Sequence, residues 1–189
     1  MSSIISGLVE DHKRFRYFLT KYERELDALR CGADPNYGLL NDLAEYFSLF
    51  PDELHHKKED VIYDFLSDNE DERATSPSQG NARLHDLRSD HAVISKDAAT
   101  FLEGMSQMLS GAQLPRDELS HYGSKYVLTL RNHMHHEEES FFPRALAVIR
   151  PAEWRVIAVK VDDLLSESVN VHKAREVLQI EKSLLEQTS

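Results

Sequence analysis

A histidine followed four residues later by a glutamate occurs twice in this chain, and the two pairs are widely separated. His55 and Glu59 form the first pair, and His133 and Glu137 form the second pair far downstream. Residues four apart on an α-helix lie about 40° from each other around the axis and one turn along it. Both side chains of a pair can therefore reach one buried point, and each pair predicts a helix that presents a metal ligand set.

An acidic residue followed by a histidine lies upstream of each pair and extends the repeat. These dipeptides are Asp11-His12 and Asp90-His91. The offset between their histidines agrees within one residue with the offset between the two pairs, which indicates an internal duplication. Each half then carries one lone histidine and one His-x-x-x-Glu pair. The predicted ligands are His12, His55, Glu59, His91, His133 and Glu137.

Apolar residues recur every three or four positions around these ligands and predict four long helices. The predicted spans are Ser3 to just before Gly32, Tyr37 to Leu66, Leu84 to Met108, and Arg116 onward. A bend is expected at Pro51 because proline removes a backbone hydrogen bond, and Pro143 should kink or loosen the fourth helix. The polar stretch 67–81 is predicted to be the loop that joins the two halves.

The distances along the predicted helices agree with a common ligand layer. At about 1.5 Å per residue, antiparallel packing of successive helices brings all four ligand histidines to one level. The sequence therefore predicts an all-α fold, an up-down-up-down antiparallel four-helix bundle over residues 1–150. Two further helices follow Pro151, and residues 151–189 are expected to cover the bundle or to form a homodimer contact.

Four imidazoles and two carboxylates exceed the four ligands of a structural zinc site. They suit two ions, each held by two histidines, with both glutamates bridging and water or hydroxide between the ions. Each ion would be about five-coordinate and would keep a position for a small molecule.

A ferritin-like site built from Glu-x-x-His pairs is the main alternative arrangement. Two such pairs exist, Glu53 with His56 and Glu118 with His121. His121 lies about 18 Å along the helix from the level of His133, so the two pairs are not expected to share one layer.

The angle of each remaining histidine around its helix predicts whether it lies at the surface or beside the ligands. His56, His85 and His135 point away from the ligand faces and are expected at the surface, whereas His136 is a candidate neighbour of the ligands. Phe15 and Ile94 are expected to wall a ligand pocket. The pocket candidates Tyr63 and Tyr126 either donate hydrogen bonds there or pack in the core.

Composition narrows the possible partners. Asp and Glu number 33 against 22 Lys and Arg, which argues against nucleic acid and anionic membranes as partners. The sequence shows neither an apolar signal core nor a membrane-length apolar run, so a soluble, cytoplasmic protein is expected. Cys31 is the only cysteine, which excludes an internal disulfide.

The order of these motifs resembles a known family. The two DH dipeptides, the string HHKKED and the string HMHHEEESFFP resemble the hemerythrin-like, or HHE cation-binding, domains over roughly residues 4 to 149. That resemblance implies a four-helix bundle with a non-haem di-iron centre, although manganese or zinc could use the same ligands. Oxygen-carrying members bring a fifth histidine on the third helix, where this chain has Leu87 or Ser95. This difference argues against reversible oxygen carriage and suggests open positions at both ions.

Three functional hypotheses follow. The first is a di-iron protein that binds or reacts with oxygen, nitric oxide or peroxide, with catalysis left open. The second is a metal or redox sensor, or an iron store, that signals to a protein partner without turnover. The third is a bundle with vestigial ligands used only for assembly. The iron-centre repair proteins of the same family share the four histidines and two glutamates, but they carry an N-terminal cysteine pair that this chain lacks.

Overall fold

The computed structural model describes residues 2–68, 86–111 and 114–188, and within these ranges the chain is all-α and contains no strand. The α-helices are α1 (Ser3–Arg30), α2 (Tyr37–Phe50), α3 (His56–Asp68), α4 (Leu87–Leu109), α5 (Arg116–His136), α6 (Phe142–Val148), α7 (Pro151–Ser166) and α8 (Ser168–Thr188). The predicted loop between the two halves, 67–81, lies outside the described residues from residue 69 onward. Leu84 and His85 also lie outside them. No helix in the described part of the chain has the length and apolarity needed to cross a membrane.

The predicted apolar face of the first helix is buried along its whole length. The residues spaced three and four apart along this helix are all buried, namely Ile5, Leu8, His12, Phe15, Leu19, Tyr22, Leu26 and Leu29. The helix ends before Gly32, which adopts a φ of 75° that residues with a side chain rarely adopt. The three-four spacing therefore positions His12 inside the protein together with its apolar neighbours.

Two wider helical turns interrupt the helices that carry the His-x-x-x-Glu pairs. Pro51–His55 and Glu137–Phe141 are π-turns, in which the N–H of His56 donates to the carbonyl of Pro51 and the N–H of Phe142 to that of Glu137. Pro51 has no N–H to offer the carbonyl of Phe47, and the hydroxyl of Tyr126 donates to that carbonyl instead, at 3.2 Å. A π-turn that begins at Pro51 and ends at His55 thus lies where the sequence predicts a bend.

The buried apolar residues form two clusters with the predicted ligands between them. One cluster includes Phe15, Leu54, Ile94 and Met134, and the other includes the residues Ile5, Leu8, Ile62, Leu66, Leu87, Phe141 and Phe142. On every ligand-bearing helix segment the histidines or glutamates fall between members of the two clusters. The site is therefore a polar layer inside an apolar core, and water is kept from it on both sides.

The last two helices pack on the rest of the protein. α7 lies against α3, and α8 lies against α2 and the first π-turn. On α8, Val177 and Leu184 are buried, whereas Leu178 and Leu185 are 62% and 47% exposed. Polar contacts accompany this packing, because Glu181 of α8 pairs with Arg14 and Gln187 donates to Asp42.

Gly123 on α5 permits the close approach of α1 and α4. A Cβ added there would lie 2.5 Å from Cδ2 of Leu26 and 2.7 Å from Cε2 of Phe101, and both of these side chains are buried. We expect Gly123→Ala to lower the free energy of unfolding by about 1–3 kcal/mol because the core has no room for the methyl group. Denaturant unfolding followed by circular dichroism measures the change.

Gly7→Ala is the matched control for this substitution. Gly7 is exposed on α1, and no described atom would come within 4 Å of an added Cβ. This variant should gain about 0.5–1 kcal/mol because alanine is the better helix former. Equal effects at the two positions would contradict the packing argument.

Candidate metal centre

Seven buried side chains form two adjoining groups of metal-binding atoms. The first group contains His12, His55, Glu59 and Glu137, and the second contains His56, Glu59, His91 and His133. Within each group the ligand atoms lie within 4.8 Å of one another, and Glu59 belongs to both. The structure thus brings together all six predicted ligands and adds His56.

Each glutamate extends one oxygen to each group. Oε1 of Glu59 lies 3.2 Å from Nε2 of His55, and its Oε2 lies 3.5 Å from Nε2 of His91. Oε2 of Glu137 lies 3.3 Å from Nε2 of His12, and its Oε1 lies 3.0 Å from Nε2 of His133. This is the orientation that a carboxylate needs to bridge two cations.

The histidines are held from behind by carboxylates. The Nδ1 atoms of the five histidines face, in turn, Glu138 for His12 at 2.8 Å, Asp11 for His55 at 3.2 Å, Asp52 for His56 at 3.1 Å, Asp60 for His91 at 3.2 Å and Asp90 for His133 at 3.5 Å. A carboxylate on Nδ1 fixes the tautomer and the ring orientation and leaves Nε2 as the ligand atom. The contacts of His12, His55 and His56 are hydrogen bonds and orient these three rings as metal-binding histidines are oriented. The Nδ1 atoms of His91 and His133 lie near their carboxylates without a hydrogen bond to the described residues.

The contacts between the Nδ1 atoms and the carboxylates follow the internal repeat of the sequence. Asp11 precedes His12 but contacts His55, and Asp90 precedes His91 but contacts His133. Asp60 and Glu138 directly follow the two predicted glutamate ligands. The sequence reasoning missed Asp60 and Glu138, although an acidic residue after each ligand glutamate, at the same offset as the pairs themselves, was the available signal.

His56 does not lie at the surface, and that prediction was wrong. The side chain is 3% exposed and its ring stacks on that of His91, with centroids 3.9 Å apart and an interplanar angle of 7°. An angle of about 100° from His55 does not put a residue outside, because a helix surrounded by several others presents a wide arc to the interior. His55 faces α1, which carries His12. His56 faces α4, which carries His91.

The remaining predictions concern residues farther from the ligands. His121 and His135 are exposed, and Glu53 pairs with Lys57, so the ferritin-like Glu-x-x-His pairs do not assemble. The ring of Phe15 lies 5.0 Å from that of His55, and Phe142 stacks on His12 at 5.5 Å. The other pocket candidates are buried or half-buried in the apolar clusters, namely Ile94, Tyr63 and Tyr126. The hydroxyl of Tyr126 is used on the backbone of Phe47.

The electrostatics of the site show how closely opposite charges are packed. Burial disfavours the charged imidazole of His55, but the carboxylates of Glu59 and Asp11 outweigh it and raise its pKa to about 9. The same balance with Glu137 and Asp90 raises the pKa of His133 to about 10. Burial opposes ionisation of Glu59, yet His55 holds its pKa well below the usual range. Burial lowers the pKa of His56 to about 4, so this ring is neutral at pH 7.

Unpartnered atoms in this layer fit a bound cation. Both oxygens of Glu59 and of Glu137, and the Nε2 atoms of His56, His91 and His133, are buried and make no hydrogen bond to any described residue. Buried polar atoms are nearly always paired, because each unpaired one costs about 1–3 kcal/mol, and more when charged. Imidazole and carboxylate donors in this number match iron, manganese or zinc.

A buried layer of imidazoles and carboxylates inside a helical bundle defines a metal-binding helical protein. The family model of the hemerythrin HHE cation-binding domain matches residues 3–145, and the chain belongs to this family. Comparison with curated proteins and with solved structures gave no further match. Membership implies a metal-binding domain, typically one for iron, and the buried histidines and glutamates fit that assignment.

The carboxylates behind the histidines should affect metal affinity without being ligands. We expect Asp11→Asn and Asp90→Asn each to weaken metal binding by roughly 10–100-fold because the ring orientation and basicity of His55 or His133 are lost. Competition with a chromophoric chelator measures the affinity. The control is Glu10→Gln, since Glu10 pairs only with Lys13 at the surface among the described contacts. Unchanged affinity in both aspartate variants would contradict this role.

Proposed function

We propose that this chain is a non-haem di-iron domain that binds or reacts with a small ligand of the class of oxygen, nitric oxide or peroxide. The proposed ligands are His12, His55, Glu59, His91, His133 and Glu137, with the two glutamates bridging the ions. The metal pair would supply the redox chemistry, while the chain fixes geometry and excludes bulk water. The single observation that carries this proposal is that each glutamate extends one oxygen to each of two histidine groups.

The surroundings of the site favour a small exogenous ligand. The ligand layer lies between two apolar clusters, and the aromatic rings nearest to it, Phe15 and Phe142, lie against His12 and His55. Both of these phenylalanines are buried. A closed apolar environment favours small, weakly hydrated molecules over charged organic substrates.

The proposal includes a fold topology and a cellular setting. We propose an up-down-up-down bundle over residues 1–150 with residues 151–189 as an added layer, supported by the ligands falling between the same two clusters on each helix. A cytoplasmic location and a homodimer contact through the C-terminal helices stay predictions.

Iron loading tests the proposed centre. The protein as purified, made metal-free and reloaded with Fe²⁺ without oxygen, should bind about two iron ions per chain, as expected for six buried imidazole and carboxylate ligands. Glu59→Gln and Glu137→Gln should reduce this to about one ion or none because a neutral amide is a poor bridge between cations. Elemental analysis gives the stoichiometry, and a visible absorption that changes with peroxide or nitric oxide reports ligand access.

Glu139→Gln is the matched control for these two variants. Glu139 lies in the same acidic run but is exposed, so its iron content should equal that of the unchanged protein. A colourless protein without metal after loading would overturn the proposal. Normal folding and association of the metal-free glutamate variants, without any metal in the parent protein, would favour the vestigial bundle.

A second candidate function is a sensor that reports metal occupancy to a protein partner through the C-terminal helices. A chain of polar contacts favours it, running from Nδ1 of His55 to Asp11 at 3.2 Å, from Asp11 to Arg14 at 2.6 Å and from Arg14 to Glu181 on α8 at 3.5 Å. Metal bound to His55 would order this series of polar contacts and would thereby hold α8 more tightly on the bundle.

Hydrogen exchange distinguishes the sensor from a simple ligand binder. Metal loading should slow amide exchange in residues 168–188, and Arg14→Met should reduce that protection because the connection to Glu181 is lost. Arg30→Met is the control, since Arg30 pairs with Asp27 at the exposed end of α1. Identical exchange of α8 with and without metal would exclude this candidate.

A further inference from the structure

A line of aromatic rings leads from the metal-binding layer to the protein surface. The centroid of the Phe15 ring lies 5.0 Å from that of His55 and 6.4 Å from that of Tyr46. The centroid of the Phe18 ring lies 4.9 Å from that of Tyr46 and 5.2 Å from that of Tyr17. All four pairs meet edge to face, at the spacing of rings in direct contact. His55 and Tyr17 are therefore joined by an unbroken series of ring contacts.

The hydroxyl group of Tyr46, in the middle of this line, makes no hydrogen bond to any described residue. The side chain is 0% exposed, so bulk water does not reach the hydroxyl either. A buried hydroxyl without a partner lowers stability, and phenylalanine fills nearly the same space without that cost. Phe47 and Phe50 lie beside Tyr46 in the same apolar cluster. What tyrosine adds over phenylalanine at this place is a ring that gives up an electron far more readily.

The two tyrosines on the line differ in where a proton can go. Loss of an electron makes a phenol strongly acidic, so the neutral radical forms only where the proton can leave. Burial raises the pKa of Tyr46, and its hydroxyl has no described acceptor. Tyr17 is 42% exposed and can release its proton to water. The ammonium of Lys21 lies 5.3 Å from the centre of the Tyr17 ring and disfavours positive charge there, so electron and proton leave together.

We propose that Phe15, Tyr46 and Phe18 form an electron route from Tyr17 to the metal pair, and that a small one-electron donor such as a phenol or ascorbate reacts at Tyr17. This inference rests on the proposed di-iron function, with hydrogen peroxide as the oxidant. The donor is too large for the closed site and therefore delivers its electrons at the surface.

The electrons and protons of this route balance over two turns. In each turn Tyr17 loses one electron inward along the rings and one proton to water. One donor molecule then restores Tyr17 with one electron and one proton. Two electrons and two protons reach the peroxide, whose O–O bond breaks to give two water molecules. Without a donor the Tyr17 radical accumulates, and the radicals of two chains couple through a carbon–carbon bond to dityrosine.

Radical detection and cross-linking test the route. The iron-loaded protein, treated with peroxide and no donor, should give a phenoxyl signal in electron paramagnetic resonance and a dityrosine dimer linked at Tyr17. Tyr17→Phe should lose this cross-link. Tyr46→Phe should also lose it, although Tyr17 is present, because the inner step is missing. Tyr122→Phe is the matched control and should keep it, since Tyr122 is half-buried elsewhere on α5 and bonds to Glu118.

Measurements on the metal-free protein separate the route from its end point. A photo-excited ruthenium complex with persulfate oxidises exposed tyrosines from outside, so Tyr46→Phe should then form the Tyr17 cross-link as the parent does. The free energy of unfolding of this variant should equal or exceed that of the parent, because only an unpartnered hydroxyl is removed. A lower stability, or loss of the photochemical cross-link, would assign Tyr46 a structural role and overturn the inference.

The outcomes distinguish this inference from the di-iron proposal. A parent protein that binds no iron would overturn the proposed function. An iron-loaded parent that consumes peroxide without a cross-link at Tyr17 would overturn the route alone, as would a Tyr46→Phe variant that keeps the cross-link. The zinc-loaded protein should give no cross-link with peroxide because zinc is not redox-active. A cross-link in the zinc-loaded protein would also overturn the route, because the electrons would then not pass to the metal pair.

Discussion

The placement of two glutamates among five histidines in the middle of an apolar core is the constraint on which the rest of the structure depends. Charged groups removed from water are costly unless they are paired or bind a metal. In this fold the imidazole rings have acidic side chains on both sides. Glu59 and Glu137 face their Nε2 atoms, and a second set of acids faces their Nδ1 atoms. The unpartnered inner atoms are those to which a bound cation would supply the missing partners.

The outer acids connect this buried layer to the protein surface. Asp11 is held by Lys58 and Arg14, and Glu138 by Arg16, so positive side chains balance the carboxylates that orient the histidines. Through Arg14 the contacts reach α8, outside the residues that the family match covers. The C-terminal helix therefore contacts, through Arg14, one of the acids behind the ligand layer, and it also packs on the rest of the protein.

Backbone irregularity places the ligands as much as side-chain pattern does. Both π-turns adjoin a His-x-x-x-Glu pair, one ending at His55 and the other beginning at Glu137. A π-turn shifts the helix face by part of a turn, which changes which side chains reach the interior. At the first turn, proline leaves the carbonyl of Phe47 without its usual helix donor, and the hydroxyl of the buried Tyr126 donates to it instead.

Local pattern alone determined the helices, the buried face of α1 and the meeting of His12, His55, Glu59, His91, His133 and Glu137. These follow from helical periodicity and from the internal repeat, both of which are properties of the chain in one dimension. Only the tertiary structure decided that His56 is inside, that Asp60 and Glu138 lie behind His91 and His12, and that Val177 rather than Leu178 is buried. The physical reason is that the width of a helix's buried arc depends on how many neighbours surround it, and the sequence of one helix does not contain that number.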